Sequence, residues 1–138
     1  MTVTVDINVF VDVFRNRQPY FADSVQVIDL ISEGKVVGIC PAHGLTTLYY
    51  LVCKHGSKAE AEAAMDDVLD DFQIGNIDMD GWREARALAL GDFEDAVVAT
   101  VAKATGSALI VTRNVEDFAG SPVPAISPAD FLSRIAKP

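Results

Sequence analysis

Cysteine is nearly missing from this chain: two residues, Cys40 and Cys53, in 138. That is too few for a disulfide framework, and both sit among apolar neighbours, where a reduced, buried thiol is the usual state. Long hydrophobic runs are also missing. Half of the residues are hydrophobic, yet no apolar stretch approaches the roughly 20 residues that cross a bilayer, so no membrane span is expected. The opening Met-Thr-Val-Thr-Val-Asp lacks the basic stretch and small-residue site of a secretory signal, which makes the cytoplasm the expected compartment. Positive charge is scarce, with 11 Lys and Arg against 20 Asp and Glu and a net charge of −9. An overall basic field that wraps nucleic acid is thereby excluded. Nuclease chemistry is not, because a bound divalent ion reverses the local sign where carboxylates converge. The acidic surplus also suits a basic partner protein.

The chain length fits one folding unit, and no repeat, linker or low-complexity tract divides residues 1–138. Val3, Thr4 and Val5 form a β-branched run ending at Asp6, a first strand with an acid at its carboxyl end. Helices are expected over 8–15 and over 21–33, the second stopped by Gly34. A strand over 36–40 closes at Pro41, and a helix follows from about Gly44 to Lys54. Ser57 with Glu60 three residues later is a capping-box pattern opening a helix to about Asp71. A strand is expected within 72–77 and a helix over 82–90. Asp92 caps a further helix through Ala104 that stops at Gly106. Ala108 to Val111 reads as a buried strand ending at Thr112, and Pro122 to Ile126 as a last strand. Ser127 followed by Pro128 starts a terminal helix. Strands alternating with helices imply a mainly parallel sheet covered on both faces, with ligands outside the carboxyl ends of the strands.

Three acids fall where such a fold puts its ligands: Asp6 after the first strand, Asp95 in the first turn of a helix, and Asp117 beyond the strand that ends at Thr112. Hard cations such as Mg²⁺ or Mn²⁺ take oxygen ligands, keep several waters, and are held by a few carboxylates plus substrate phosphate. These residue types in this arrangement therefore point to a divalent-metal site.

The same residues carry a family resemblance over nearly the whole chain. Val5-Asp6-Ile7-Asn8-Val9-Phe10-Val11-Asp12 resembles the first motif of the PIN domain, an aspartate closing strand one followed by a small polar residue. Asp92-Phe93-Glu94-Asp95-Ala96 resembles its third-acid motif, and Thr112-Arg113-Asn114-Val115-Glu116-Asp117-Phe118 its closing motif. The order and spacing are similar to those of VapC-type toxins of bacterial toxin–antitoxin pairs. The resemblance implies a three-layer α/β/α fold and a Mg²⁺- or Mn²⁺-dependent endoribonuclease, usually dimeric and inhibited by a cognate antitoxin. It carries Asp6 and Asp95 over as metal ligands. Asp117 is carried over beside Asn114, which occupies a position that is an acid in many relatives. Asn8 and Thr112 would orient ligands or water. One departure stands out: Thr47 occupies the position where the family usually has a glutamate. Either Glu94 or Asp92 compensates from the facing helix, or the site binds metal weakly until substrate supplies oxygens.

Taken singly, Asp6 is a strand end and Asp92 a helix cap, and only the combined pattern favours a site. Asp66, Asp67, Asp70 and Asp71 read as a solvated helix face. Asn76 to Gly81 imitates the start of a calcium loop, but Ala87 stands where a bidentate glutamate is required. Cys40, His43, Cys53 and His55 match no common zinc spacing. Tyr49, Tyr50 and the many phenylalanines read as core and interface rather than base-stacking platforms, while Tyr20 or Phe21, near a loop, could contact RNA. Two further readings remain: a catalytically degenerate PIN module that binds RNA or protein, favoured by Thr47, and a receiver-like phosphotransfer domain. The second lacks the acid pair after strand one, where Asn8 stands, and the lysine after a late strand, where Thr112 and Arg113 stand.

Overall fold

The computed structural model describes residues 1–136. In chain order the elements are β1 (Thr2–Val5), α1 (Ile7–Phe14), α2 (Phe21–Ser32), β2 (Val37–Pro41), α3 (Ala42–His55), α4 (Lys58–Asp71), β3 (Gln73–Gly75), α5 (Met79–Ala87), α6 (Phe93–Ala104), β4 (Leu109–Val111), a 3₁₀ turn (Val115–Phe118), β5 (Ala125–Ile126) and α7 (Pro128–Ala136). The five strands form one sheet in the order β3-β2-β1-β4-β5, with every neighbouring pair parallel. A receiver-like sheet runs 2-1-3-4-5, so the phosphotransfer reading is excluded by topology as well as by side chains.

Alternation across the sheet separates two cores. Val3 and Val5 of β1, Cys40 of β2, and Leu109 and Val111 of β4 join Phe10, Val27, Leu48, Val68 and Phe131, which come from α1, α2, α3, α4 and α7. Thr4, Ile39 and Ile110 are aligned in one row. Ile39 and Ile110 of that row meet Val97, Val98, Ala99 and Val101 of α6. Burial on both faces explains why β1 and β4 read as apolar, β-branched runs. Thr4 in that row is fully buried and satisfied, its hydroxyl bonded to Ser107 Oγ at 2.8 Å. Every residue of α6 from Ala96 to Ala102 is buried, and small side chains let the helix lie close to the sheet with α5 against it. Its two ends are exposed, Phe93 and Glu94 after the cap Asp92 at the start and Lys103 and Ala104 at the finish.

Helix starts follow the expected caps. Ser57 Oγ accepts the Glu60 N–H at 3.1 Å, Asp92 accepts the Glu94 N–H at 2.7 Å, and Ser127 Oγ accepts the Asp130 N–H at 3.1 Å. Boundaries shift by a residue or so at several ends, the last strand shrinks to Ala125–Ile126, and the largest differences lie at α5 and at the β2–α3 junction. Helix α5 starts at Met79 rather than Trp82, because the Asp78 carboxylate accepts the Gly81 N–H at 2.9 Å and caps it; the calcium-like acids are helix-starting residues. It ends at Ala87, where Leu88 turns to extended backbone, short of the expected Leu90. Pro41 is the last residue of β2 rather than a closure beyond it, and α3 starts immediately after. Gly44 is therefore inside α3, where an added Cβ would lie 1.9 Å from Ile7 Cδ1. The absence of a side chain there lets α3 approach the start of α1, beside Asp6.

Candidate active site

Strand order reverses between β1 and β4: from β1 the chain builds outward through β2 and β3, then crosses back to lay β4 on the other side. Ligands of open α/β sheets collect at such switch points, outside the carboxyl ends of the strands. Asp6 follows β1 and Thr112 follows β4, so the two polar residues emerge side by side at this crevice.

Asp6 is held tightly. It caps α1, its Oδ1 accepting the Ile7 N–H at 2.8 Å, while Oδ2 accepts the Thr112 hydroxyl at 2.8 Å and, more weakly, the Asn8 amide at 3.4 Å. Thr112 Oγ1 in turn accepts the Asn114 N–H at 3.1 Å, and Asn8 Oδ1 accepts the Arg113 N–H at 3.3 Å. Asn8 and Thr112 thus hold the Asp6 carboxylate in place. Burial pushes the Asp6 pKa above the ordinary carboxylate value. The bonds from Thr112 and Ile7 oppose this, and the charge of Glu94 adds to it.

A depression of about 300 Å³ opens above Asp6, lined also by Asn8, Arg17, Thr47, Asp92, Glu94, Asp95, Asn114 and Asp117. All of the sequence-predicted site residues line it except Thr112, which lies beneath, bonded to Asp6. Asp92, Asp95 and Asp117 are shared with an adjoining hollow of about 400 Å³. Asp95 shows the crowding most clearly: partial burial first, then the charges of Asp6, Asp92, Asp117 and Glu94, push its pKa up to about 6. Thr47 is exposed on α3 one turn beyond Gly44 and faces the same depression.

Donor chemistry decides which ion such a site accepts. The carboxylates are hard oxygen ligands, and their mutual repulsion is relieved by a divalent cation. Among the described residues no three His, Cys, Asp or Glu side chains are gathered closely enough to cage an ion by themselves. The donors are still of the type that hard divalent cations take, a few carboxylates with water and substrate oxygens completing the shell. A larger cleft of about 620 Å³ beside the start of α5 has no comparable chemistry. Of its three acids, Asp78 is spent capping α5 and Glu84 is paired with Lys103, which leaves Asp80 alone.

Three residues at or near the site were not picked out from sequence. Asp12 is fully buried and forms a two-pronged ion pair with Arg113, Nε to Oδ2 at 2.7 Å and Nη2 to Oδ1 at 3.1 Å. The guanidinium lies 4.2 Å above the centre of the Tyr20 ring, so Tyr20 supports the site from outside. A charged residue within the apolar helix Ile7–Phe14 is the signal that could have found Asp12, since a buried charge demands a partner. Arg17 reaches the depression because α1 is only eight residues long, about 12 Å. His43, at the start of α3, has a buried Nε2 without a hydrogen-bond partner. Desolvation lowers its pKa against the opposing charge of Asp6. No sequence signal marks Arg17, and His43 figures in the sequence only within a zinc spacing that does not match.

Comparison with known proteins agrees with this architecture. Residues 2–116 match the PIN domain. The chain is 29% identical over 140 residues to ribonuclease VapC1 of Aquifex aeolicus (strain VF5), covering 96% of this chain and 94% of that protein. Two solved structures share the fold at low identity. DNA-bound VapBC from Salmonella typhimurium superposes with a TM-score of 0.70 at 15% identity, covering 93% of this chain and 98% of that one. A toxin–antitoxin complex from Klebsiella pneumoniae gives 0.68 at 20%, covering 91% and 97%.

Proposed function

Because the chain belongs to the PIN-domain family, we propose that it is a divalent-metal-dependent endoribonuclease and the toxin of a toxin–antitoxin pair. The observation that carries this reading is the meeting of Asp6, Asp95 and Asp117, with Asp92 and Glu94, in one depression at the switch point of the sheet. Asp6, Asp95 and Asp117 are the proposed ligands of Mg²⁺ or Mn²⁺. When bound, such an ion polarises a phosphate oxygen and makes an attacking water more acidic. Asp6, fixed by Ile7, Thr112 and Asn8, presents a carboxylate that does not reorganise during the reaction. Asp95 and Asp117 would orient the water, a carboxylate oxygen of Asp95 would accept its proton as the new P–O bond forms, and the ester oxygen whose P–O bond breaks would leave by taking a proton from bulk water.

The partners proposed are RNA as substrate, a cognate antitoxin, and a second copy of the chain. No described helix is long and apolar enough to cross a membrane, and the cytoplasm is the proposed location. The homodimer draws support from exposed Trp82 and Phe93, whose ring centroids are 6.2 Å apart beside the first turn of α6. Light scattering that finds only monomer at micromolar concentration would refute it. For the activity itself, purified protein is incubated with defined RNA in Mn²⁺ and in EDTA. Cleavage only with metal is expected, and intact RNA under every metal condition would favour the non-cutting module, the reading for which Thr47 speaks.

Thr47→Glu probes the same site from the other side. A carboxylate added to the depression increases repulsion among Asp6, Asp95 and their neighbours, so the metal-free variant should melt lower than the parent. Mn²⁺ should bind it more tightly and raise its melting temperature more. Calorimetric titration measures the affinity and thermal scans with and without Mn²⁺ the melting shift, and unchanged affinity would mean that position 47 does not reach the ion.

A further inference from the structure

We propose that Arg15, Arg17 and Lys54 form a basic ledge that grips the phosphates of single-stranded RNA beside the acidic depression, an inference that rests on the ribonuclease reading. Basic residues are few here: Lys35, Lys58, Lys103 and Arg113 are paired with Glu33, Glu62, Glu84 and Asp12, while Arg83, Arg86 and Arg134 lie outside these pairs and away from the depression's lining. Among the described residues, none of Arg15, Arg17 and Lys54 has a carboxylate within ion-pair distance. They reach one place from two segments. Arg15 is the C-cap of α1, and the chain then turns at Asn16 (φ 48) so that the Arg17 N–H returns to the Asp12 carbonyl at 3.0 Å. Lys54 and His55 occupy the last turn of α3, which packs against α1.

The electrostatics report the same convergence. His55 is exposed, and slight desolvation and then the charges of Arg15, Lys54 and Arg17 hold its pKa below the usual imidazole value. Helix dipoles account for a cation at the end of α1 and another at the end of α3. They do not account for Arg17, which lies beyond α1 and lines the depression together with Asp6, Asp95 and Asp117. In a chain of net charge −9, cations left without carboxylates and set against one another await an anion. Continuity with the depression makes that anion the backbone flanking the scissile phosphate. The Lys54 ammonium also sits 5.7 Å from the ring centre of Tyr50, which is 58% exposed. A cation together with an exposed aromatic ring is the pairing that holds single strands without reading sequence.

The test is binding of a fluorescent single-stranded oligouridylate in EDTA, where no cleavage intervenes, titrated against salt. Each lost phosphate contact lowers the slope of log affinity against log salt by about 0.7, so Arg15→Gln/Lys54→Gln should lose about 1.4 and Lys54→Gln alone about 0.7. Identical slopes for parent and both variants overturn the ledge. So does a double variant that keeps its RNA slope but loses binding to polyglutamate, which would identify a face for an acidic protein. A parent that loses slope on substitution yet never cuts RNA in Mn²⁺ supports the ledge and removes the nuclease, so the two failures are distinct.

Discussion

Asp95→Asn is expected to reduce metal-dependent RNA cleavage by on the order of 100-fold or more, while the protein stays folded and in the absence of metal becomes more stable. The two effects have one origin. Asp95 sits among Asp6, Asp92, Asp117 and Glu94, and its pKa is pushed from 3.8 up to about 6. A carboxyl with a raised pKa in the folded state opposes folding once it ionises. The stability associated with its neutral form is present below the ordinary value of 3.8 and is lost as pH rises through about 6. Asparagine has the same shape and never ionises. In EDTA the variant should therefore melt higher than the parent at pH 7 and above, with the difference shrinking as pH falls toward 4. Melting curves across that range, with cleavage assays across a Mn²⁺ titration, check both halves. Full activity at any metal concentration would remove Asp95 from the site, and a pH-independent difference in melting would remove the electrostatic cause.

Asp12→Ala is expected to cost about 3–5 kcal/mol of folding stability, the range for breaking a buried ion pair by removing one partner. The lower end is favoured because the Arg113 side chain keeps 22% of its surface exposed. The loss comes less from the missing bonds than from the guanidinium left without its carboxylate between α1 and Tyr20. Asp12→Leu combined with Arg113→Met should recover much of it, because apolar residues of similar volume remove the desolvation cost together with the pair. Urea denaturation of the three proteins measures this, and an unchanged midpoint for Asp12→Ala would sink the argument. Cleavage should fall as well, although Asp12 touches no substrate. The Arg113 backbone N–H positions Asn8, and Asn8 and Thr112 position Asp6. Asp12 is a positioning residue for that chain of contacts.

Much of the site was legible in the sequence because its signals are local. A β-branched run ending in an acid described β1 and Asp6. An aspartate before a helical stretch described the cap at Asp92 and placed Asp95 in the first turn of α6. The misplaced start of α5 was local too: Asp78 was read as part of a calcium-like loop when its carboxylate had a helix to begin. What no window of sequence contains is the order of the strands. Asp6 and Thr112 are separated by 106 positions and Asp12 and Arg113 by 101, and nothing in either segment says that the other lies alongside. Their contacts exist because β4 is laid against β1, on the side away from β2. The same holds for Arg17 and Thr47, which join the acids only because α1 is short and because Gly44 allows α3 close to Ile7. Residue type and spacing thus determined which side chains were available for chemistry. Sheet order and helix packing decided which of them meet, since pairing across a hundred residues is set by the burial of whole faces and not by any local preference.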